Sequence, residues 1–187
     1  MKTFFSLAIA ILLISCSKNN VSPIVQIPLG NTDMESGSTQ PSNWFYGFTA
    51  KDIAMTWSTD ASSSPSHSLE MSRSTVTDQT SYAAWGQNYQ GAMPVGKDLT
   101  FTAKIKSDNL VGQGVSIVIR VDGATTQNLQ ISSTQGNQTI NGTFDWKTYT
   151  VNLASLTSQA KYIIVYLVYL PGTTGKAYFD DVSLTHN

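Results

Sequence analysis

Apolar and polar residues alternate along most of the chain with a period of two. In Leu99-Thr-Phe-Thr-Ala-Lys-Ile-Lys106, Leu99, Phe101, Ala103 and Ile105 fall on one face and Thr100, Thr102, Lys104 and Lys106 on the other. Successive side chains of a strand point to opposite faces, so this pattern predicts an antiparallel strand with one face against a core. Val115–Val121 repeats it, with Val115, Ile117, Ile119 and Val121 inward and Ser116, Val118 and Arg120 outward. Further strands are expected over 44–49, 53–57, 68–72, 82–89, 127–132, 146–153, 161–170 and 177–184. Turns fall at Gly112-Gln-Gly114, Asp122-Gly123, Asn141-Gly142 and Pro171-Gly172, and the Ser/Thr-rich stretches 58–68 and 132–143 read as loops. No amphipathic helix of useful length is visible. About ten short strands in one unit of about 150 residues predict an all-β antiparallel sandwich of the jelly-roll type.

The first sixteen residues, MKTFFSLAIAILLISC, follow another pattern. Lys2 precedes an apolar run from Phe4 to Ile14 that only Ser6 interrupts. The run is shorter than the ~20 apolar residues a membrane-spanning helix needs, and a short apolar run behind a basic start marks a secretory leader. Leu13-Ile14-Ser15-Cys16 resembles the lipobox of bacterial lipoproteins, and all four positions match. The resemblance implies cleavage before Cys16, diacylation of its sulfur with palmitate-like chains, and acylation of the new amino group. The alternative is a conventional signal peptide with an incidental cysteine. Acyl chains would anchor the protein firmly, since each buried CH₂ contributes roughly 0.8 kcal/mol. The chain thus divides into a lipoprotein signal peptide (1–15), the lipidated Cys16 with a tether (16–30), and a β-sandwich domain (31–187). The expected location is the bacterial cell envelope, with the outer membrane as default because Ser17 follows the cysteine.

Composition narrows the partners. The 187 residues carry 11 Lys+Arg against 12 Asp+Glu, a net charge of −1. No basic stripe is available to neutralise phosphates, so nucleic acid is not an expected partner. A single cysteine rules out a disulfide framework and a Cys-rich zinc site. Four Trp, eight Tyr and seven Phe supply ample rings for stacking on a ligand.

Five short motifs, in order, resemble those of galactose-binding-like β-sandwiches, including carbohydrate-binding modules of the xylan- and cellulose-binding type. They are Asn31-Thr-Asp-Met-Glu-Ser-Gly37 with Pro41-Ser-Asn-Trp44, Ser66-His-Ser-Leu-Glu-Met71, Gly96-Lys-Asp-Leu-Thr-Phe-Thr-Ala103, Phe144-Asp-Trp-Lys-Thr-Tyr-Thr-Val151 and Ala177-Tyr-Phe-Asp-Asp-Val-Ser-Leu184. The resemblance spans about 31–185 and speaks to fold more than to ligand.

The last motif raises a question of charge. If Val182 and Leu184 face the core, strict alternation places Asp180 and Tyr178 on the same face, where an unpaired carboxylate is costly. A calcium ion, which takes six to eight oxygens, is one solution. The family resemblance implies that Glu35 and Asp180 hold such a structural ion. Backbone N–H groups bonding Asp180 are the other solution.

Sugars are gripped by aromatic rings against their C–H faces and by amides, carboxylates and Arg at their hydroxyls. In 161–170, Ile163, Val165 and Leu167 make one core face, which leaves Tyr162, Tyr166 and Val168 on the other. Tyr166 then lies near Arg120, Asn128 and Gln130, all assigned to outward positions. The resemblance adds Arg73 and Trp85, near the positions where family members contact sugar. For catalysis the chain offers no Gly-x-Ser-x-Gly elbow, no His-Glu-x-x-His and no phosphate-binding glycine loop. The expected function is a membrane-anchored, non-catalytic lipoprotein whose domain binds a glycan. The alternative is a structural or adaptor lipoprotein of the envelope that binds a protein partner.

Overall fold

Every segment expected from two-residue alternation forms a strand in the computed structural model, which describes residues 22–125 and 127–187. The leader and Cys16 lie outside the described residues. In chain order the strands are β1 (Val25–Ile27), β2 (Phe45–Phe48), β3 (Ala54–Ser58), β4 (Ser68–Arg73), β5 (Ala83–Tyr89), β6 (Leu99–Val111), β7 (Val115–Asp122), β8 (Asn128–Ser133), β9 (Gly142–Leu153), β10 (Tyr162–Tyr169) and β11 (Thr174–His186). They form two antiparallel sheets. One is six-stranded, in the order β3-β4-β11-β6-β9 with β1 added beside β11; the other is five-stranded, in the order β2-β5-β10-β7-β8. No helix among the described residues is long and apolar enough to cross a membrane.

The alternating residues explain the layers. Phe101 and Ile105 of β6 and Phe179 and Leu184 of β11 point inward from one sheet. Ile117 and Ile119 of β7 and Val165 and Leu167 of β10 meet them from the other, all without solvent exposure. Each such side chain stabilises the fold by roughly 1.5–3 kcal/mol. The chain passes between sheets at 112–114. Gly114 sits there at φ 79°, and a Cβ on it would come within 2.1 Å of the Ile140 carbonyl oxygen. Only glycine fits that reversal.

Two features depart from the sequence reading. The end of the expected tether is taken into the fold: Val25, Gln26 and Ile27 pair with His186, Thr185 and Leu184, and Ile27 joins the core. The second is a β-bulge in β11. Asp180 stands opposite Lys104 and Ser183 opposite Thr102, so β11 holds one residue too many, and Asp181 takes φ 44°. Such a bulge shifts the alternation beyond it. Ala177 and Phe179 before the bulge and Val182 and Leu184 after it all face the core. Asp180 and Tyr178 therefore lie on the outer face, contrary to the expectation from strict alternation.

Candidate functional site

The register places one row of residues straight across the outer face of the five-stranded sheet. Phe45 opposes Gly86, Gly86 opposes Tyr166, Tyr166 opposes Val118 and Val118 opposes Ser133. A neighbouring row runs through Asn88, Ile164, Arg120 and Ile131. Tyr166 is the hub of an aromatic cluster. Its ring meets Phe45 edge-on at 6.4 Å and Phe48 at 5.8 Å, and Phe48 in turn packs on Tyr82 at 4.8 Å. Phe45, Phe48 and Tyr82 are each more than one-third exposed.

Two glycines make the floor. A Cβ on Gly86 would lie 2.6 Å from the Phe45 ring and 2.9 Å from Tyr166, and one on Gly47 would lie 2.7 Å from Tyr166. The rings thus rest directly on backbone, and a side chain at either position would lift them. Beside them, Arg120 Nε donates to Asp122 Oδ1 at 2.8 Å, which raises the guanidinium pKa further. Burial pushes the Tyr166 hydroxyl above its ordinary pKa, against the pull of Arg120, so it stays a neutral donor and acceptor. Asn128 is exposed and stands opposite Asp122. The face thus combines exposed rings, an ion pair and an exposed amide.

Of the residues singled out from the sequence, Tyr166, Arg120 and Asn128 belong to this face. Gln130, Trp85 and Arg73 do not. Gln130 pairs with Val121, whose side chain points into the core. A bulge beside Asn128 separates it from Asn128's side of the sheet, and its amide bonds Ala154 O, Ser155 O and the Thr157 N–H. Trp85 is 1% exposed, sealed under Tyr46 at 4.5 Å, with no hydrogen-bond partner for its Nε1. The Arg73 side chain has no exposed surface. Its Nε donates to Thr173 O at 2.6 Å, its Nη1 to Asp52 Oδ2 at 3.2 Å and Ser81 Oγ at 3.0 Å, and its guanidinium lies 5.8 Å over Tyr169. The rings that sequence reasoning missed are Phe45, Phe48 and Tyr82. The usable signal was Phe45-Tyr-Gly-Phe48, since one short edge strand cannot bury three rings.

Glu35 and Asp180 serve a different purpose. Asp180 is completely buried, and burial pushes its carboxyl above the usual range despite N–H donors from Ser64, Ser63 and Asp181. Oδ2 accepts Ser63 N at 2.7 Å and Ser64 N at 3.0 Å; Oδ1 accepts Asp181 N at 2.7 Å and Ser64 Oγ at 3.1 Å. Glu35 Oε1 accepts Ser66 N and His67 N. Burial raises its pKa, but those two N–H groups and the His67 ring together bring it below the ordinary value. The two carboxylates therefore clamp loop 59–67 at two points, and Lys104 adds a third through Ser63 and Asp181. As arranged, hydrogen-bond donors take up both oxygens of Asp180, the second of the two solutions expected from the sequence. The Ser64 hydroxyl also lies 3.0 Å from the Asp33 carbonyl, so one backbone oxygen of the kind a calcium shell uses stands beside Asp180.

No protein-family profile matches the sequence, and no curated protein matches it. Solved structures do match. A cyclase from Fischerella sp. TAU aligns at TM-score 0.64 and 15% identity over 88% of this chain and 98% of its own. A structure described as CBM4 aligns at TM-score 0.57 and 19% identity over 86% of this chain and all of its own. The CBM22-1 xylan-binding domain of Paenibacillus barcinonensis Xyn10C aligns at TM-score 0.53 and 8% identity over 88% and 92%. The fold is the two-sheet antiparallel β-sandwich that these structures, carbohydrate-binding modules among them, share. At such identities the likeness is one of fold, which fixes no ligand. Within this sandwich the six-stranded sheet carries loop 59–67 over the buried Asp180, whereas the five-stranded sheet presents its rings to solvent.

Proposed function

We propose that this protein is a non-catalytic glycan-binding module, held at a bacterial envelope by acylated Cys16, which seats a polysaccharide chain on the outer face of the five-stranded sheet. The exposed cluster Phe45–Tyr166–Phe48–Tyr82 carries the reading. Aromatic faces cover the apolar C–H surface of a sugar, and Arg120, held by buried Asp122, and exposed Asn128 offer hydrogen bonds to its hydroxyls. Carbohydrate-binding modules among the fold neighbours support the same reading.

A glycan array with the domain from residue 22, which holds both sheets and the core, tests it. Binding is expected with the parent and is expected to disappear in Tyr166→Ala at unchanged melting temperature. Retained binding in that variant refutes the placement, and an array with no bound glycan refutes the function in favour of a protein partner. Labelling of cells with a palmitate analogue tests the anchor: the parent should be labelled and Cys16→Ser should not.

A further inference from the structure

The rings do not stop at the sheet. Phe48 and Tyr82 also form one wall of an open cavity of about 400 Å³, bordered on its other sides by loops 49–52 and 77–81. Small-molecule sites run roughly 300–1,000 Å³, so the cavity has room for a small ring rather than a long ligand. Its remaining wall is almost wholly polar: Thr49, Lys51, Asp52, Thr77, Asp78, Thr80 and Ser81, with Ala50 between. A larger cavity of about 760 Å³ shares Lys51 and Asp52 but has no aromatic residue in its lining. A third cavity, of about 510 Å³, also joins rings, Phe144 and Tyr178, to the acids Asp60, Asp108 and Asp145, but it lies on the six-stranded sheet, away from the Tyr166 platform. The cavity of about 400 Å³ is the one that shares its rings with that platform.

We infer that this cavity is a second glycan subsite, taking one neutral sugar ring of a chain that continues from the Tyr166 platform, with Asp78 accepting its hydroxyls. The inference rests on the glycan-binding reading above and adds the direction in which the chain runs. Phe48 and Tyr82 are shared by platform and cavity, so one chain can lie on both. The carboxylates are fixed in place. Asp78 Oδ1 takes the Thr80 N–H at 2.8 Å and the Thr80 hydroxyl at 2.7 Å. Asp52 takes the Thr77 N–H at 3.0 Å and the Thr77 hydroxyl at 2.9 Å, and buried Arg73 holds it from behind. Arg73 is thus a positioning residue that acts through Asp52. Both acids are held below their ordinary pKa, chiefly by those backbone N–H groups, so they remain charged acceptors in mildly acidic solution. Hydrogen bonds to a charged acceptor are roughly twice as strong as neutral ones.

Calorimetric titration with cello-, xylo- and β-1,4-galacto-oligosaccharides of two to six units tests the subsite. In the series that binds, affinity should climb until the chain spans platform and cavity. Asp78→Asn should then weaken the longest ligand about tenfold and leave the disaccharide unchanged. Thr80→Ala should act in the same direction, and binding should hold from neutral pH down to about pH 4.5. Tyr166→Ala should weaken every length. Equal affinity of Asp78→Asn and parent for all lengths, or an equal loss at all lengths, overturns the subsite while leaving the platform intact. If the parent binds no glycan on the array or in these titrations, both readings fall.

Discussion

Asp180 shows how much one residue can organise. Four donors converge on a carboxylate with no exposed surface, and three of them are backbone N–H groups. Removing the acceptor strands those donors under loop 59–67. Asp180→Ala is therefore expected to cost about 2–4 kcal/mol in urea unfolding. A loss below about 0.5 kcal/mol would show that the loop is held elsewhere. Asp52 allows a test by pH. The Thr77 N–H, then the Thr77 hydroxyl and Arg73, hold its folded-state pKa below the ordinary range. The unfolded chain thus binds this proton first as pH falls. Asp52 contributes stability above about pH 4, and that contribution fades as pH drops toward its depressed folded value. Between about pH 5 and pH 3, Asp52→Asn should lose less melting temperature than the parent. Equal losses would mean that Asp52 is not the group responsible. The sequence marked Asp180 as a problem but put it on the wrong face, because no residue pattern announces the extra residue of a bulge.

At the level of elements, legibility followed chemistry. In β6 and β7 the inward residues are apolar and the outward ones include charges, so alternation revealed both strand and face. In β5 the sequence Ala-Ala-Trp-Gly-Gln-Asn-Tyr hides its faces. Inward Gln87 is polar but satisfied by the Gly30 N–H and carbonyl, while outward Ala84 and Gly86 are small because rings lie over Gly86. Trp85 consequently looks like a ligand contact from the pattern alone, whereas it is core. In β8 the bulge beside Asn128 turned Gln130 toward the 154–157 loop. The floor of the platform can be tested directly. A methyl at position 86 forces the Phe45 and Tyr166 rings to move, yet those ring edges lie toward solvent rather than core. Gly86→Ala should lower glycan affinity about tenfold and stability by less than about 1.5 kcal/mol. Full affinity would show that the rings do not need their seat on the backbone.

Across the whole molecule the two sheets divide the work. Their shared core made the architecture readable from period two alone, whereas the use of each outer face depended on long-range packing that no local pattern records. The six-stranded layer is stabilised from outside by loop 59–67, which backbone N–H groups tie to Asp180 and Glu35. The melting temperature should accordingly be the same in EDTA as in millimolar calcium. A fall in EDTA would mean that the loop rearranges to expose oxygens around Asp180.

β1 belongs to the six-stranded layer, while the proposed ligand sits on the opposite layer. Tension between the N-terminal end and a seated polysaccharide would enter through β1 and cross the sandwich from back to front. Val25, Gln26 and Ile27 would bear that load at their junction with His186, Thr185 and Leu184. Three residue pairs at one seam would decide how hard a cell can tug on what it holds before the domain begins to unzip.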